Sequence, residues 1–147
     1  MARTHFTVAE VEDLIPRLEE IFKDVLQLRA GLRSVEDKLD CAGVKMSRED
    51  LLESDGGPME IRQAKAVFRG FYEALSDEID SIRALGGEVK DLESGLVDFP
   101  GRRGSDDILL CWKLGEKRIG FWHPVDAGYS ARRPIDEKIP RVPQRVD

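Results

Sequence analysis

From Val11 to Leu39 the apolar residues keep a 3.5-residue beat without a miss. The a positions of this run are Val11, Leu18, Val25, Leu32 and Leu39, and the d positions are Leu14, Ile21, Leu28 and Val35. A heptad pattern sustained over four repeats is the mark of a helix that buries one seam along its whole length. Its start is signalled as well. Thr7 and Glu10 have the spacing of a capping box, with Phe6 and Val11 placed as the flanking hydrophobic staple. Pro16 falls at an f position, so it should face water and kink the first turns while leaving the seam intact.

Asp40 to Gly57 interrupts the pattern with Gly43, Gly56 and Gly57, and Ser47-Arg48-Glu49-Asp50 could cap one short helical turn there. A second helix is expected from Pro58, a residue suited to a first helical position, to Gly86-Gly87. Its a positions are Ile61, Phe68, Leu75 and Ile82, and its d positions are Ala64, Phe71, Glu78 and Leu85. Two such helices joined by a short linker most simply make an antiparallel hairpin, spanning 7–87, in which facing residue numbers sum to about 100. Glu78 is the one charged residue in the two seams. A bare carboxylate there would cost several kcal/mol, so it must be paired, protonated or set at the seam's edge.

After the double glycine the beat changes to that of strands. Gly95 to Pro100 reads as a strand stopped by proline, and Ile108 to Leu114 and Lys117 to His123 read as two more. Gly115-Glu116 between the last two suggests a two-residue hairpin loop. That loop would pair Trp112 with Ile119, Leu110 with Phe121 and Ile108 with His123 on a core face. It would put Leu109 with Trp122, Cys111 with Gly120, and Lys113 with Arg118 on the other. The expected fold class is α+β: a coiled-coil-like antiparallel helical hairpin, a small three-stranded antiparallel sheet over 88–134, and an extended tail over 135–147. Length bounds this to a single domain, since 147 residues is close to one domain's worth.

Charge and cysteine content narrow the function. Residues 1–87 carry 12 Lys/Arg against 18 Asp/Glu, while residues 88–147 carry 11 of each. An acidic half gives no electrostatic reason to bind nucleic acid or an anionic membrane. The longest purely apolar run, Ile108 to Trp112, is five residues, far short of a membrane-spanning helix. Cys41 and Cys111 are too few for a disulfide framework, and with no apolar signal core at the start they point to a reducing, cytoplasmic address. Neither expected helix contains a His, which removes the di-metal carboxylate bundle. Phosphate-loop, dinucleotide-binding, nucleophile-elbow and His-Glu-x-x-His motifs are also missing from the sequence.

Several segments carry a family resemblance: Phe6-Thr7, Val89-Lys90-Asp91-Leu92, Gly95 to Pro100, Cys111 to Gly115, Trp122-His123, Asp126 to Tyr129 and Arg132-Arg133-Pro134. In these the chain resembles the bacterial domain-of-unknown-function 2203 family. The resemblance implies the same fold boundaries and a cytoplasmic address, and it brings no activity, substrate or cofactor.

Candidate site residues gather late in the chain. His123 and Asp126 have the side chains of a divalent metal pair, or of a catalytic His with its orienting carboxylate, and Pro124 would hold His123 extended. Asp98 ends another strand and could converge on them. Against this, a lone His on an apolar face is usually a satisfied core residue. Arg102-Arg103 and Arg132-Arg133 are guanidinium pairs suited to an anion, although internal salt bridges with the chain's own carboxylates are the simpler account of them. Glu78 is the helical residue most able to join such a site. Cys111 has no His beside it in the expected register and is a weak nucleophile candidate. Two functions remain. The preferred one is an interaction or assembly role through self-association of the helical hairpin, supported by apolar e positions Ile15, Phe22 and Tyr72 that a two-helix hairpin cannot cover. The alternative is a small-ligand, anion or metal site near His123, with hydrolysis among the activities open to it.

Overall fold

A computed structural model describes residues 5–44 and 57–143. The chain forms two compact units. One comprises Met1–Phe22 and Asp80–Asp147, the other Lys23–Ile79. The elements run in the order α1 (Val8–Glu12), α2 (Ile15–Cys41), α3 (Met59–Leu85), then strands β1 (Glu88–Asp91), β2 (Leu96–Arg103), β3 (Asp106–Lys113), β4 (Phe121–Pro124) and β5 (Arg133–Pro134). Two long helices followed by an antiparallel sheet make this an α+β fold, and the sheet has five strands in sequential order rather than three.

The capping box forms: the Thr7 hydroxyl accepts from the Glu10 N–H while the Glu10 carboxylate accepts from the Thr7 N–H. Pro16 does more than kink the helix. It has no N–H to give to the preceding turn, so α1 ends at Glu12 and α2 begins afresh at Ile15. The seam survives the break, since Val11, Leu18, Ile21 and Val25 are all buried and Pro16 is exposed. Pro58 lies just before α3, where its carbonyl accepts from the Arg62 N–H. The short turn expected at Ser47–Asp50 falls outside the described residues.

In the helical unit Gly31 on α2 faces Phe71 on α3 so closely that a Cβ at Gly31 would come within 2.7 Å of the ring. Phe68, Leu75, Leu32, Val35 and Leu39 are buried there, and Tyr72 remains exposed. Glu78 belongs to this unit and is half-buried.

In the sheet unit the strand pairings sort residues onto two faces. Val97, Phe99, Leu110, Trp112, Ile108 and Trp122 share one, Asp98, Cys111, Phe121 and His123 the other. The first is the core face. Phe99 meets Phe6 edge-on at 5.4 Å, and Phe22 packs on Trp112 at 5.9 Å. Ile15 and Phe22, two of the apolar e positions that a helical hairpin alone cannot cover, are buried within this unit.

Two expectations for the strands fail, each for a physical reason. Pro100 does not end β2, because β1 pairs no further along it than Asp98 and the missing N–H on that side leaves no strand partner unmet. The Pro100 carbonyl instead accepts from the Phe6 N–H at 2.7 Å. The two-residue hairpin after β3 also does not form. β4 begins only at Phe121, and its register is Ile108↔Pro124, Leu109↔His123, Leu110↔Trp122 and Cys111↔Phe121. That is one residue away from the expected pairing, and one residue moves every β4 side chain to the opposite face. His123 therefore leaves the core face, Trp122 takes its place, and the Lys113–Arg118 pair never forms.

The slip has a visible cause. Glu116 uses its carboxylate to accept from the Lys113 N–H, and its carbonyl accepts from the Trp112 indole. The Ile119 N–H is taken by the Glu12 carboxylate. These bonds stabilise a longer loop over the tight turn. The C-terminal segment is docked as far as Arg141: Ile139 is buried, and the Pro140 and Arg141 carbonyls accept from the otherwise unpaired Val8 and Ala9 N–H groups opening α1.

The end of α3 supplies a test. Gly86 sits at φ +103, and a Cβ there would overlap the Phe6 ring. Gly86→Ala should destabilise the protein by at least about 1–3 kcal/mol from the backbone alone, read as a lower urea midpoint with an unchanged m-value.

Candidate functional site

The register of β4 brings His123 beside Asp98 and Cys111 on the sheet face opposite the core. All three are buried, with 2%, 3% and 1% exposure. The His123 Nε2 lies 2.9 Å from Asp98 Oδ2, and the Nδ1 lies 2.8 Å from the Pro124 carbonyl oxygen. Asp98, Cys111 and His123 each offer one ligand atom, and the three atoms lie within 4.8 Å of one another.

Both imidazole nitrogens thus face oxygen acceptors. A carbonyl can only accept, so Nδ1 must carry a hydrogen. In a neutral ring Nε2 would then present a lone pair to a carboxylate lone pair at 2.9 Å, which is repulsive. Something positive belongs between them. A proton satisfies the geometry, as imidazolium against carboxylate or as imidazole against a protonated acid. A metal ion satisfies it too, and the Nδ1–H to carbonyl bond is the usual way a metal-bound histidine is oriented.

Cys111 completes the group. Burial, and after it the Asp98 charge, pushes its thiol up to about 11, against the pull of the Arg132 guanidinium in the other direction. A thiol held so firmly is no free nucleophile. It becomes a strong donor only when a cation displaces its proton.

Above this face lies the segment after β4, including the 3₁₀ turn Tyr129–Ala131. Together with Lys90 and Leu96 it encloses a cavity of ≈ 150 Å³ onto which all three side chains open. Arg132 pins the segment down. One of its terminal nitrogens donates to the Cys111 carbonyl and to Glu116 Oε1, at 3.1 and 2.6 Å, and its plane lies over the Phe121 and Tyr129 rings. Burial alone would lower the Arg132 pKa, but its bond to Glu116 and the Glu116 and Cys111 charges outweigh that and raise it. The buried Arg132 Nε makes no hydrogen bond among the described residues.

The remaining candidates go elsewhere. Asp126 is exposed and lines a different cavity of ≈ 490 Å³, in company with Arg103, Trp122 and Arg133. Arg103 is bonded to Asp136, whose carboxyl it holds below the usual range, and it lies over Trp122. Arg133 lies over the same indole. Arg102 is exposed on β2, opposite Asp107. The guanidinium doublets therefore do not converge, and Asp98 with Cys111 stands where Asp126 was expected beside His123. Cys111 was passed over because the tight-turn register set Gly120 opposite it. The pairing of Cys111 with Phe121 carries no sequence signal of its own.

A family model described as an uncharacterized conserved protein, DUF2203, matches residues 4–135. No curated protein and no solved structure matches the chain.

Two outcomes follow from the triad. Removing one partner of a buried pair leaves the other uncompensated, so Asp98→Ala should cost about 3–5 kcal/mol in denaturant unfolding. The raised Cys111 pKa means that the fold favours the protonated thiol. Its stabilising share is complete below the ordinary value of 9.0 and is lost as pH rises through about 11. Thermal midpoints of Cys111→Ala should consequently fall less steeply over that window than those of the parent.

Proposed function

The chain belongs to the DUF2203 family, which brings no activity to transfer, and from its own geometry we propose that it binds a divalent metal ion of the zinc class. Asp98, Cys111 and His123 are the ligands. The observation that carries this reading is that a buried carboxylate, thiol and imidazole bring one ligand atom each to within 4.8 Å of one another. One thiolate, one imidazole and one carboxylate are ordinary zinc donors, at about 2.0–2.3 Å from the ion. Two such ligands on one zinc lie about 3.0–3.5 Å apart, so the observed 2.9 Å needs an adjustment of only tenths of an ångström. Three protein ligands leave a coordination position open, the arrangement of sites that bind or activate a small molecule rather than of closed structural sites. A reduced Cys111 as ligand fits the cytoplasmic address expected from the sequence.

No helix among the described residues is long and apolar enough to cross a membrane. Self-association through a coiled-coil-like hairpin is a second proposal. Its support is the exposure of Leu26, Val67 and Tyr72 in the helical unit. Light scattering that returned a monomer at high concentration would remove it.

Isothermal titration of the metal-free chain with Zn²⁺ should give one site per chain, with protons released and affinity rising with pH. His123→Ala and Cys111→Ala, each first shown to be folded by circular dichroism, should each weaken binding at least about tenfold. Asp126→Ala should leave it unchanged. Heat of binding preserved in both triad variants would end the proposal.

A further inference from the structure

The cavity over the triad adds a ligand class to the metal reading. We propose, resting on that reading, that the open coordination position takes a small monocarboxylate whose negative charge is met by Lys90.

The first observation is a bulge. In the β1–β2 ladder Glu88 pairs with Asp98 and Val89 with Val97, but the next pair is Asp91 with Leu96. Lys90 is the extra residue. A bulge re-aims a side chain out of strict alternation, and Lys90 lines the cavity with Asp98, Cys111 and His123. Its carboxylate partner is Glu88 at 3.4 Å, an exposed surface pair that contributes little and yields readily to a competing anion.

Charge supplies the second. A divalent ion held by the Cys111 thiolate, the Asp98 carboxylate and a neutral His123 sums to zero. Lys90 and Glu88 balance one another at the mouth of the site, as Arg132 and Glu116 do behind it, so an anionic ligand gains its cation by displacing the exposed Glu88 carboxylate from Lys90.

Size and walls give the third. A volume of ≈ 150 Å³ holds about five waters at ~30 Å³ each. That is room for a carboxylate with a tail of one or two carbons. Leu96 and Tyr129 form the apolar wall against which such a tail would rest.

The full-length chain loaded with Co²⁺ provides the test. Thiolate-to-cobalt charge transfer and visible ligand-field bands report the metal, and a shift of the visible bands reports a new ligand. Titration with propanoate should shift those bands saturably, whereas 1-propanol, a neutral molecule of the same length, should not. Lys90→Met should bind Co²⁺ as the parent does while its apparent Kd for propanoate rises about two- to fivefold, the loss of one exposed ion pair. Cobalt bands that appear but do not move with propanoate overturn the ligand assignment and leave the metal reading standing. Equal propanoate binding by Lys90→Met does the same. A response to phosphate and bicarbonate but not to propanoate replaces the monocarboxylate with an inorganic oxyanion. Absence of cobalt bands in the folded chain overturns both readings together.

Discussion

Glu116 is the residue on which the sheet depends. Its carboxylate closes β3 at the Lys113 N–H and holds Arg132, and its carbonyl takes the Trp112 indole proton. With that knot tied, the chain cannot turn back at once and rejoins the sheet only at Phe121. The register that results puts Trp122 into the core and His123 against Asp98. The same carboxylate anchors Arg132, whose guanidinium clamps the segment that roofs the triad. One acidic side chain thus sets both the floor and the lid of the cavity.

The helices were legible because their signal is distributed. Nine seam positions from Val11 to Leu39 repeat one instruction, and a capping box marks where it begins, so a single exception such as Pro16 moves a boundary without changing the element. The outcome for β3 agrees with the sequence as well: Ile108, Leu110 and Trp112 fall on one side of the strand by alternation and do form the core side. The register of β4 hung on two residues, Gly115 and Glu116. Local turn preference favoured a tight hairpin there, and side-chain bonds from Glu116 and Glu12 overrode it. Strands of two and four residues, such as β5 and β1, are too short to carry alternation. The site inherited these errors in order. Asp98 and His123 were visible as ionisable groups near strand ends, while Cys111 could not be recognised as their neighbour from a register that faced it with glycine.

The guanidinium doublets show why adjacency in sequence is a poor guide to a shared site. Neighbouring residues on an extended chain point to opposite faces. Arg132 lies over Phe121 and Tyr129 on the triad side, and Arg133 lies over Trp122 on the other. Arg103 turns to Asp136 while Arg102 stays exposed on β2. The two members of each pair go separate ways, so neither pair acts as one fork.

A sheet that buries its second face needs only apolar residues to do so, and this one places a carboxylate, a thiol and an imidazole there. Fully buried polar groups cost more than the aliphatic side chains that could stand in their place, unless each finds a partner. Asp98 and His123 satisfy one another only when a cation sits between them. A proton in that role makes the pair an internal salt bridge or a strong hydrogen bond, and nothing in that arrangement needs a cavity. A metal ion in the same role uses Cys111 as well, accounts for the thiol's position beside the pair, and leaves a face turned toward the space under Tyr129. Protons account for the three residues, since the Cys111 thiol is also a hydrogen-bond partner of Asp98, and the metal accounts for the three residues and the void above them.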